Sequence, residues 1–395
     1  MDEFQNPFSP GAGSPPPALV GRDQLLHEAD LLLARTKNGR SAKSLIINGL
    51  RGVGKTVLLN RIAQKARERD YHVISIEVDE NNSFLYSLVQ HLRRLLLEMD
   101  TSSNLKAKAR KALAVLKSFS INVKYGDLSL GLDIDACKGI GDSGSLELDL
   151  PALFTAVGEV CISQGSGVAL IIDEVQFLAS HDELGALILT MHKMQQEQLP
   201  IVLISAGLPI MYELAGKAKS YSERLFSYPS LQPLAKHDAE DAIRIPIENA
   251  GEAIEDAALH VIYEKTKGYP YFLQEWGYWT WNTAQTSPIC EDDVQNASEK
   301  VIQQLDKNFF KVRFNRITHK EKEFLYSMAT LGNGPYHSSD VAAAMNKKNT
   351  RAIGPLRSSL IQKGMIYSPE YGQLDFTVPL FGEFMLRVME EQRKS

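Results

Sequence analysis

Cysteine is scarce in this chain of 395 residues. Cys137, Cys161 and Cys290 lie far apart, and no two share the short spacing of a zinc site or a redox motif. That excludes a disulfide framework and points to a reducing compartment, so the expected location is the cytoplasm. Long apolar runs are also missing. None approaches the roughly 18 residues that a membrane helix needs, so no membrane is expected as a partner. The opening residues carry Asp2 and Glu3 and contain no apolar core, which predicts no signal peptide. No internal repeat is evident.

What is present is ordinary in amount. The hydrophobic fraction of 44% and the charged fraction of 23% are the balance of a soluble globular protein with material for a sizeable core. The length suggests two or three domains. The net charge of −5 hides an asymmetry. From Phe310 to Ser395 thirteen Lys and Arg stand against eight Asp and Glu, a net of +5, which leaves −10 on the rest. A basic end on an acidic chain points to an anionic partner for that end, the alternative being a merely solvated surface.

Along the chain, Pro15-Pro16-Pro17 with Gly11 and Gly13 predicts a flexible tail over residues 1–17. Helical periodicity starts near Asp23. Strands are predicted at Ser44–Asn48, Val73–Val78, Val168–Ile172 and Ile201–Ser205, and helices over Lys55–Glu68, Phe84–Met99, from about Pro151, and around Leu184–Gln196. Alternating residues from Ser118 to Asp135, around a turn at Tyr125-Gly126-Asp127, predict a β-hairpin. Strands alternating with helices give an α/β class: a parallel sheet with helices on both faces. From Ala235 to about Phe310 the pattern is helical only.

Gly49-Leu50-Arg51-Gly52-Val53-Gly54-Lys55-Thr56 matches G-x-x-x-x-G-K-[ST] in full, between an apolar strand and a helix that continues through Val57. The spacing has a chemical reason. The glycines let the backbone wrap a polyphosphate with its N–H groups pointing inward, and the helix aims its positive N-terminus at the same anion. Lys55 supplies a point charge to the β- and γ-phosphates, and Thr56 offers a hydroxyl to Mg²⁺. The implied ligands are a nucleoside triphosphate, ATP, and Mg²⁺. Such a loop needs a carboxylate for the metal. The buried run Val168–Ile172 ends in Asp173, the metal-side candidate, and Glu174, the candidate general base. A rival site is Leu146-Glu147-Leu148-Asp149, which alternates and lacks the continuous apolar run. A small-molecule phosphotransferase is disfavoured, because no acceptor pocket is suggested.

With these motifs the chain resembles the AAA+ P-loop ATPases, in particular the origin-recognition and archaeal-ATPase branch with its relation to the STAND signalling NTPases. Val20-Gly21-Arg22-Asp23 resembles that branch's adenine-side box, which implies nucleotide contacts for Gly21 and Arg22. Ser205 sits where the family places its polar sensor 1. Ser222-Glu223-Arg224-Leu225-Phe226 resembles the arginine-finger segment, which implies a trans-acting Arg224 and a homo-oligomer in the ATP state. The alternative for Arg224 is a surface or salt-bridged arginine. The helical stretch resembles the AAA+ lid, with a departure: Tyr271 stands where the sensor 2 arginine is expected. Gly268-Tyr269-Pro270 is instead similar to the STAND element whose proline, here Pro270, faces the nucleotide. The aromatics Tyr269, Tyr271, Phe272, Trp276 and Trp279 read better as lid core than as a nucleobase platform. The implied division is an AAA+ core at 18–234, a lid at 235–309 and a winged helix at 310–395.

In that last segment His319–Leu331, Ser339–Met345 and Asn349–Lys363 are predicted helices, followed by a hairpin near Met365–Phe376, with Gly354-Pro355 able to kink the third helix. In a DNA-binding winged helix the third helix enters the major groove. Its exposed face would offer Asn349, Thr350, Arg351, Arg357, Ser358 and Lys363, with Lys347 and Lys348 placed for phosphates. Duplex DNA is therefore the expected partner of Lys347, Lys348, Arg351 and Arg357. A winged helix that docks a protein or autoinhibits is the alternative.

Overall fold

In this computed structural model the described residues are 1–11, 13–79, 83–99, 106–122, 135–181 and 183–394. They form two compact units: Arg22–Gly49 with Lys55–Leu231, and Met1–Gly21, Leu50–Gly54 and Gln232–Ser395.

The first unit is a parallel α/β layer. Its elements run α1 (Asp23–Lys37), β1 (Ser44–Gly49), α2 (Lys55–Glu68), β2 (Tyr71–Glu77), α3 (Phe84–Met99), α4 (Lys106–Asn122), α5 (Leu146–Gln164), β3 (Gly167–Asp173), α6 (Glu183–Gln196), β4 (Ile201–Gly207), α7 (Met211–Ala218), α8 (Ser222–Leu225), β5 (Phe226–Ser227) and β6 (Ser230–Leu231). The strand order is β2-β3-β4-β1-β5, with β6 also on β1 and every pair parallel. β1 and β4 are buried along their whole length and β3 up to its last residue, which is why they read as unbroken apolar runs. β2, at the edge, buries only part of itself. The main core fills the space between the sheet and α3–α6, with Phe84, Leu88, Leu113, Phe119, Phe154 and Leu187 in it.

Two sequence expectations change in this unit. Ser118–Asn122 closes helix α4 instead of opening a hairpin strand: Phe119 is needed in the core, and Ser118 Oγ donates back to the Ala114 carbonyl at 3.1 Å, a helical i−4 contact. Residues 123–134 of the expected hairpin lie outside the described residues. The rival acidic site also falls away as a strand end, because Leu146–Asp149 is the first turn of α5. There the buried Asp149 carboxylate accepts from the Ser143 and Gly144 N–H groups, both at 3.0 Å, and stitches the incoming loop to the helix. Pro151 lies inside α5, near its start, instead of beginning it.

The second unit is helical with a small sheet. Its elements are α9 (Lys236–Asn249), α10 (Asp256–Thr266), α11 (Pro270–Thr283), α12 (Glu291–Gln304), a π-helical turn (Leu305–Phe310), α13 (Lys311–Phe314), α14 (His319–Ala329), β7 (Tyr336–His337), α15 (Ser338–Ala344), a 3₁₀ turn (Thr350–Ile353), α16 (Gly354–Gln362), β8 (Ile366–Tyr367), β9 (Gln373–Phe376) and α17 (Phe381–Lys394). The strands pair antiparallel in the order β7-β9-β8. Three helices with this sheet make the winged-helix arrangement. The expected third helix is shorter than Asn349–Lys363, because Pro355 is tolerated only in a helix's first turn and so α16 begins at Gly354.

The flexible tail is also corrected. Phe8 is buried against Gly277, Asn6 Nδ2 donates to the Tyr278 carbonyl at 3.0 Å, and Trp281 Nε1 donates to the Asp2 carbonyl at 2.8 Å. The glycine and proline content of residues 1–17 concealed one large apolar anchor. Gly268 holds the turn before α11 with φ +72°. A Cβ there would lie 2.1 Å from the Leu234 carbonyl oxygen, so no other residue fits.

Glu321 ties the winged helix together. It is 2% exposed, and its carboxylate accepts from the Thr318 N–H at 2.7 Å, Ser359 Oγ at 2.7 Å and Lys363 Nζ at 2.8 and 2.9 Å. That joins α14 to α16 and withdraws Lys363 from the exposed face expected for it. Burial pushes the Glu321 carboxyl up, but Lys363, Thr318 and Ser359 outweigh it and hold the group at about 2, against an ordinary 4.5. A depressed carboxyl stabilises the fold above its unfolded value, and that stability is lost as pH falls from 4.5 toward 2. The difference amounts to about 3 kcal/mol. Glu321→Gln is expected to lower stability at neutral pH by about 2–3 kcal/mol and to flatten the loss below pH ~4.5. Urea unfolding across pH checks it; an unchanged acid limb would refute the assignment.

Candidate nucleotide-binding site

In the α/β unit, β1 delivers Gly49 and α2 begins at Lys55. Lys55 is 6% exposed, and its ammonium donates to the Gly49 carbonyl at 3.1 Å, across the mouth of the loop. One residue on, Thr56 Oγ1 donates to Asp173 Oδ2 at 2.5 Å. Asp173 closes β3, which is one strand removed from β1 by β4. Burial pushes the Asp173 carboxyl up, and the Thr56 hydroxyl and the Glu174 N–H, at 2.9 Å, pull it back. A carboxylate taken out of water is costly unless a cation repairs it. The oxygen donors of Thr56 and Asp173 suit a hard divalent ion such as Mg²⁺, which is held by few protein groups plus phosphate oxygens. Among the described residues no group of three His, Cys, Asp or Glu could hold a metal ion.

Glu174 is set by backbone strain. Its φ is +53°, a left-handed conformation that a glutamate adopts only when its surroundings enforce it. Gln176 Nε2 donates to Glu174 Oε2, and Gln176 Oε1 accepts from the Leu208 N–H at 3.2 Å. Gln176 thus aims the carboxylate from a 3₁₀ segment after β3 and fixes it to the end of β4. Sequence reasoning missed Gln176; only its position two residues beyond Glu174 marks it. Ser205 is fully buried in β4, with its hydroxyl turned to the Leu45 carbonyl at 3.4 Å. Arg22 is buried at the start of α1. Arg224 is exposed on the four-residue α8, between the buried anchors Ser222 and Leu225.

The other unit contains the crown of the loop, residues 50–54. Gly52 and Gly54 have φ of +85° and +92°, the conformations that turn successive N–H groups inward. Val53 is fully buried, whereas Leu50 and Arg51 are half-buried. The Gly52 carbonyl accepts from the Tyr271 N–H at 3.4 Å, and Tyr269 and Tyr271 lie against Gly52. Pro270 is the first residue of α11. Gly21 rests against the Asp238 carboxyl. Tyr269, Phe272 and Trp276 are lid core, each at most 4% exposed.

Residues 18–204 match the family model of an AAA ATPase domain. The chain therefore carries an AAA ATPase domain over those residues. Residues 307–385 match a second model, described as a domain of unknown function. None of the curated proteins matches the sequence. Among solved structures, the fold is similar to a Walker-type ATPase of Pyrococcus abyssi, at 14% identity and TM-score 0.61, covering 93% of this chain and 96% of that one. It is also similar to the ORC2 protein of Aeropyrum pernix in its ADPNP–ADP complexes, at 15% identity and TM-score 0.54, covering 98% of both. At these identities the likeness is one of fold. Among the described residues no helix is long and apolar enough to cross a membrane.

Two substitutions separate binding from hydrolysis in this ATPase. Lys55→Ala removes the cation of the phosphate loop and is expected to abolish ATP binding. Glu174→Gln is expected to keep binding and slow turnover by about 10²- to 10⁴-fold, the usual worth of a general base. Equilibrium binding and single-turnover hydrolysis measure both. Near-normal turnover in Glu174→Gln would remove Glu174 as the base.

Proposed function

We propose that this ATPase uses ATP, with Mg²⁺ held by Thr56 and Asp173, to control engagement of duplex DNA by its winged helix. The observation that carries the DNA reading is local. Lys347, Lys348 and Arg351 are exposed and have no ion-pair partner among the described residues. They occupy the turn before α16 and its leading 3₁₀ segment, whose orientation is set by Asn349 Oδ1 capping the Ala352 N–H at 3.1 Å. Lys363 pairs with Glu321 and Arg387 with Asp306 at 2.7 Å, so neither adds to this set. Arg357 is half-buried, with its Nε enclosed and unpartnered. We keep 18–234, 235–309 and 310–395 as the working division into core, lid and winged helix, and the cytoplasm as the location that suits three free thiols.

A second reading has its own observation. Tyr269 Oη donates to the Thr377 carbonyl at 2.9 Å, a buried bond between the turn that opens α11 and the strand end after β9. Lid and winged helix are thereby latched, which favours a STAND-like switch whose winged helix docks protein or restrains the lid.

Full-length protein should bind duplex DNA with a log–log salt slope of about −2.7, for three neutralised phosphates. Lys347→Ala with Lys348→Ala should flatten it by about 1.8 on any sequence. Fluorescence anisotropy across salt decides it, and absence of binding at micromolar protein would favour the switch. Arg224 is proposed as a finger reaching a neighbour's γ-phosphate, worth about 10³- to 10⁵-fold in rate. Mixing Arg224→Ala with Glu174→Gln should then restore activity that neither has alone. Failure to complement, with a monomer in ATP, would leave Arg224 a surface residue.

A further inference from the structure

Among the guanidinium groups that lack an anionic partner among the described residues, Arg51 and Arg313 belong to the unit that contains the loop crown. Arg51 is the third residue of the phosphate loop, and Arg313 lies on α13, the short helix that leads into the winged helix. The Nε of each is enclosed by protein and makes no hydrogen bond. Arg313 donates through Nη1 to the Phe309 carbonyl at 2.7 Å, and its guanidinium carbon sits 3.7 Å from the centre of the Phe309 ring. Phe309 in turn stacks on Tyr271, with centroids 4.8 Å apart and planes 18° from parallel. Tyr271 is fixed at both ends: its N–H reaches the Gly52 carbonyl, and its hydroxyl donates to Glu275 Oε1 at 2.9 Å. A rigid ladder of Tyr271, Phe309 and Arg313 therefore holds one cation in place, anchored on the loop crown.

The electrostatics of this arrangement are unfavourable as they stand. Burial pushes the Arg313 guanidinium down to about 10, and the positive charge of Arg51 adds to the depression. At about 10, Arg313 remains charged at neutral pH. A desolvated guanidinium beside a second positive charge, with an enclosed Nε unpartnered on each, is costly unless an anion completes them. A planar guanidinium matches the bidentate geometry of phosphate, and two of them suit a group bearing more than one negative charge.

We propose that Arg51 and Arg313 together bind the terminal phosphate of the nucleoside triphosphate, so that Arg313 is the cation that reads nucleotide state in place of the arginine that α11 lacks. The inference rests on the ATPase reading. It places the reading residue on the connection to the winged helix, not on the lid helix. Gain or loss of the γ-phosphate then acts directly on the segment that carries the DNA-facing turn.

The test uses the full chain and compares the affinity of a non-hydrolysable ATP analogue with that of ADP, for wild type, Arg313→Gln, Arg313→Lys and Arg51→Gln. Glutamine keeps part of the stem over Phe309, and melting temperature reports folding. In Arg313→Gln and Arg51→Gln the triphosphate should bind about 10- to 100-fold more weakly while ADP is nearly unchanged, the worth of a charge-assisted hydrogen bond. Arg313→Lys should fall between. Equal losses for both nucleotides, or an unchanged preference in the two glutamine variants, overturns the proposal. Should Arg313→Gln fail to fold, Arg51→Gln, on the loop, decides alone. Wild type binding neither nucleotide would instead bring down the ATPase reading on which this rests.

Discussion

The half-buried Asp173 carboxylate at the carboxyl end of a parallel sheet favours a positive charge beside it, and much of the geometry of the α/β unit bears on that need. Asp173 is placed by β3, Thr56 by the helix after β1, and their 2.5 Å hydrogen bond spans the strand that separates them. The parallel register makes this possible, because all carboxyl ends open on one side. Lys55 is similarly removed from water and rests on a backbone carbonyl. Both groups sit where a charged guest would offset the loss of water.

Strain is concentrated at the same edge. Glu174 is the residue that follows the metal-side carboxylate, and it is one of few non-glycine residues with positive φ. Gln176 restrains it by bonding to its carboxylate and to the amide of Leu208. Any reorientation of Glu174 must therefore be transmitted to the end of β4. The Glu174 carboxylate and the neighbouring strand end form one mechanical piece.

Much of this was legible in the sequence, for identifiable reasons. Three central strands are covered on both faces, so Ser44–Asn48, Val168–Ile172 and Ile201–Ser205 read as unbroken apolar runs. The phosphate loop is written in consecutive residues. Ser118–Asn122 misled because period-2 alternation over five residues also fits a helix buried on one side. The N-terminal segment misled because composition weighs Pro and Gly, whereas Phe8 alone supplies the anchor. Gln176, Arg313 and Glu321 were illegible as functional groups, since each acquires its role from a partner distant in sequence or from backbone geometry. The overall basic charge of the last 86 residues was legible, but which cations are already neutralised by Glu321 and Asp306 was not.

The turn Gly268–Pro270 carries one more consequence. On one side it leads into Tyr271, whose N–H reaches the phosphate loop; on the other, the Tyr269 hydroxyl reaches the strand end beside the wing. The turn is packed against Leu234, with no room for a Cβ on Gly268 and with the Gly268 carbonyl accepting from the Leu234 N–H at 2.8 Å. The two contacts therefore share one fulcrum. Thermodynamic reciprocity then applies: a ligand of the wing that shifts the fulcrum alters phosphate affinity by some factor, and the phosphate alters the wing's affinity by the same factor. Traffic through this turn runs in both directions, and a partner docked at the far end is itself an effector of the nucleotide pocket.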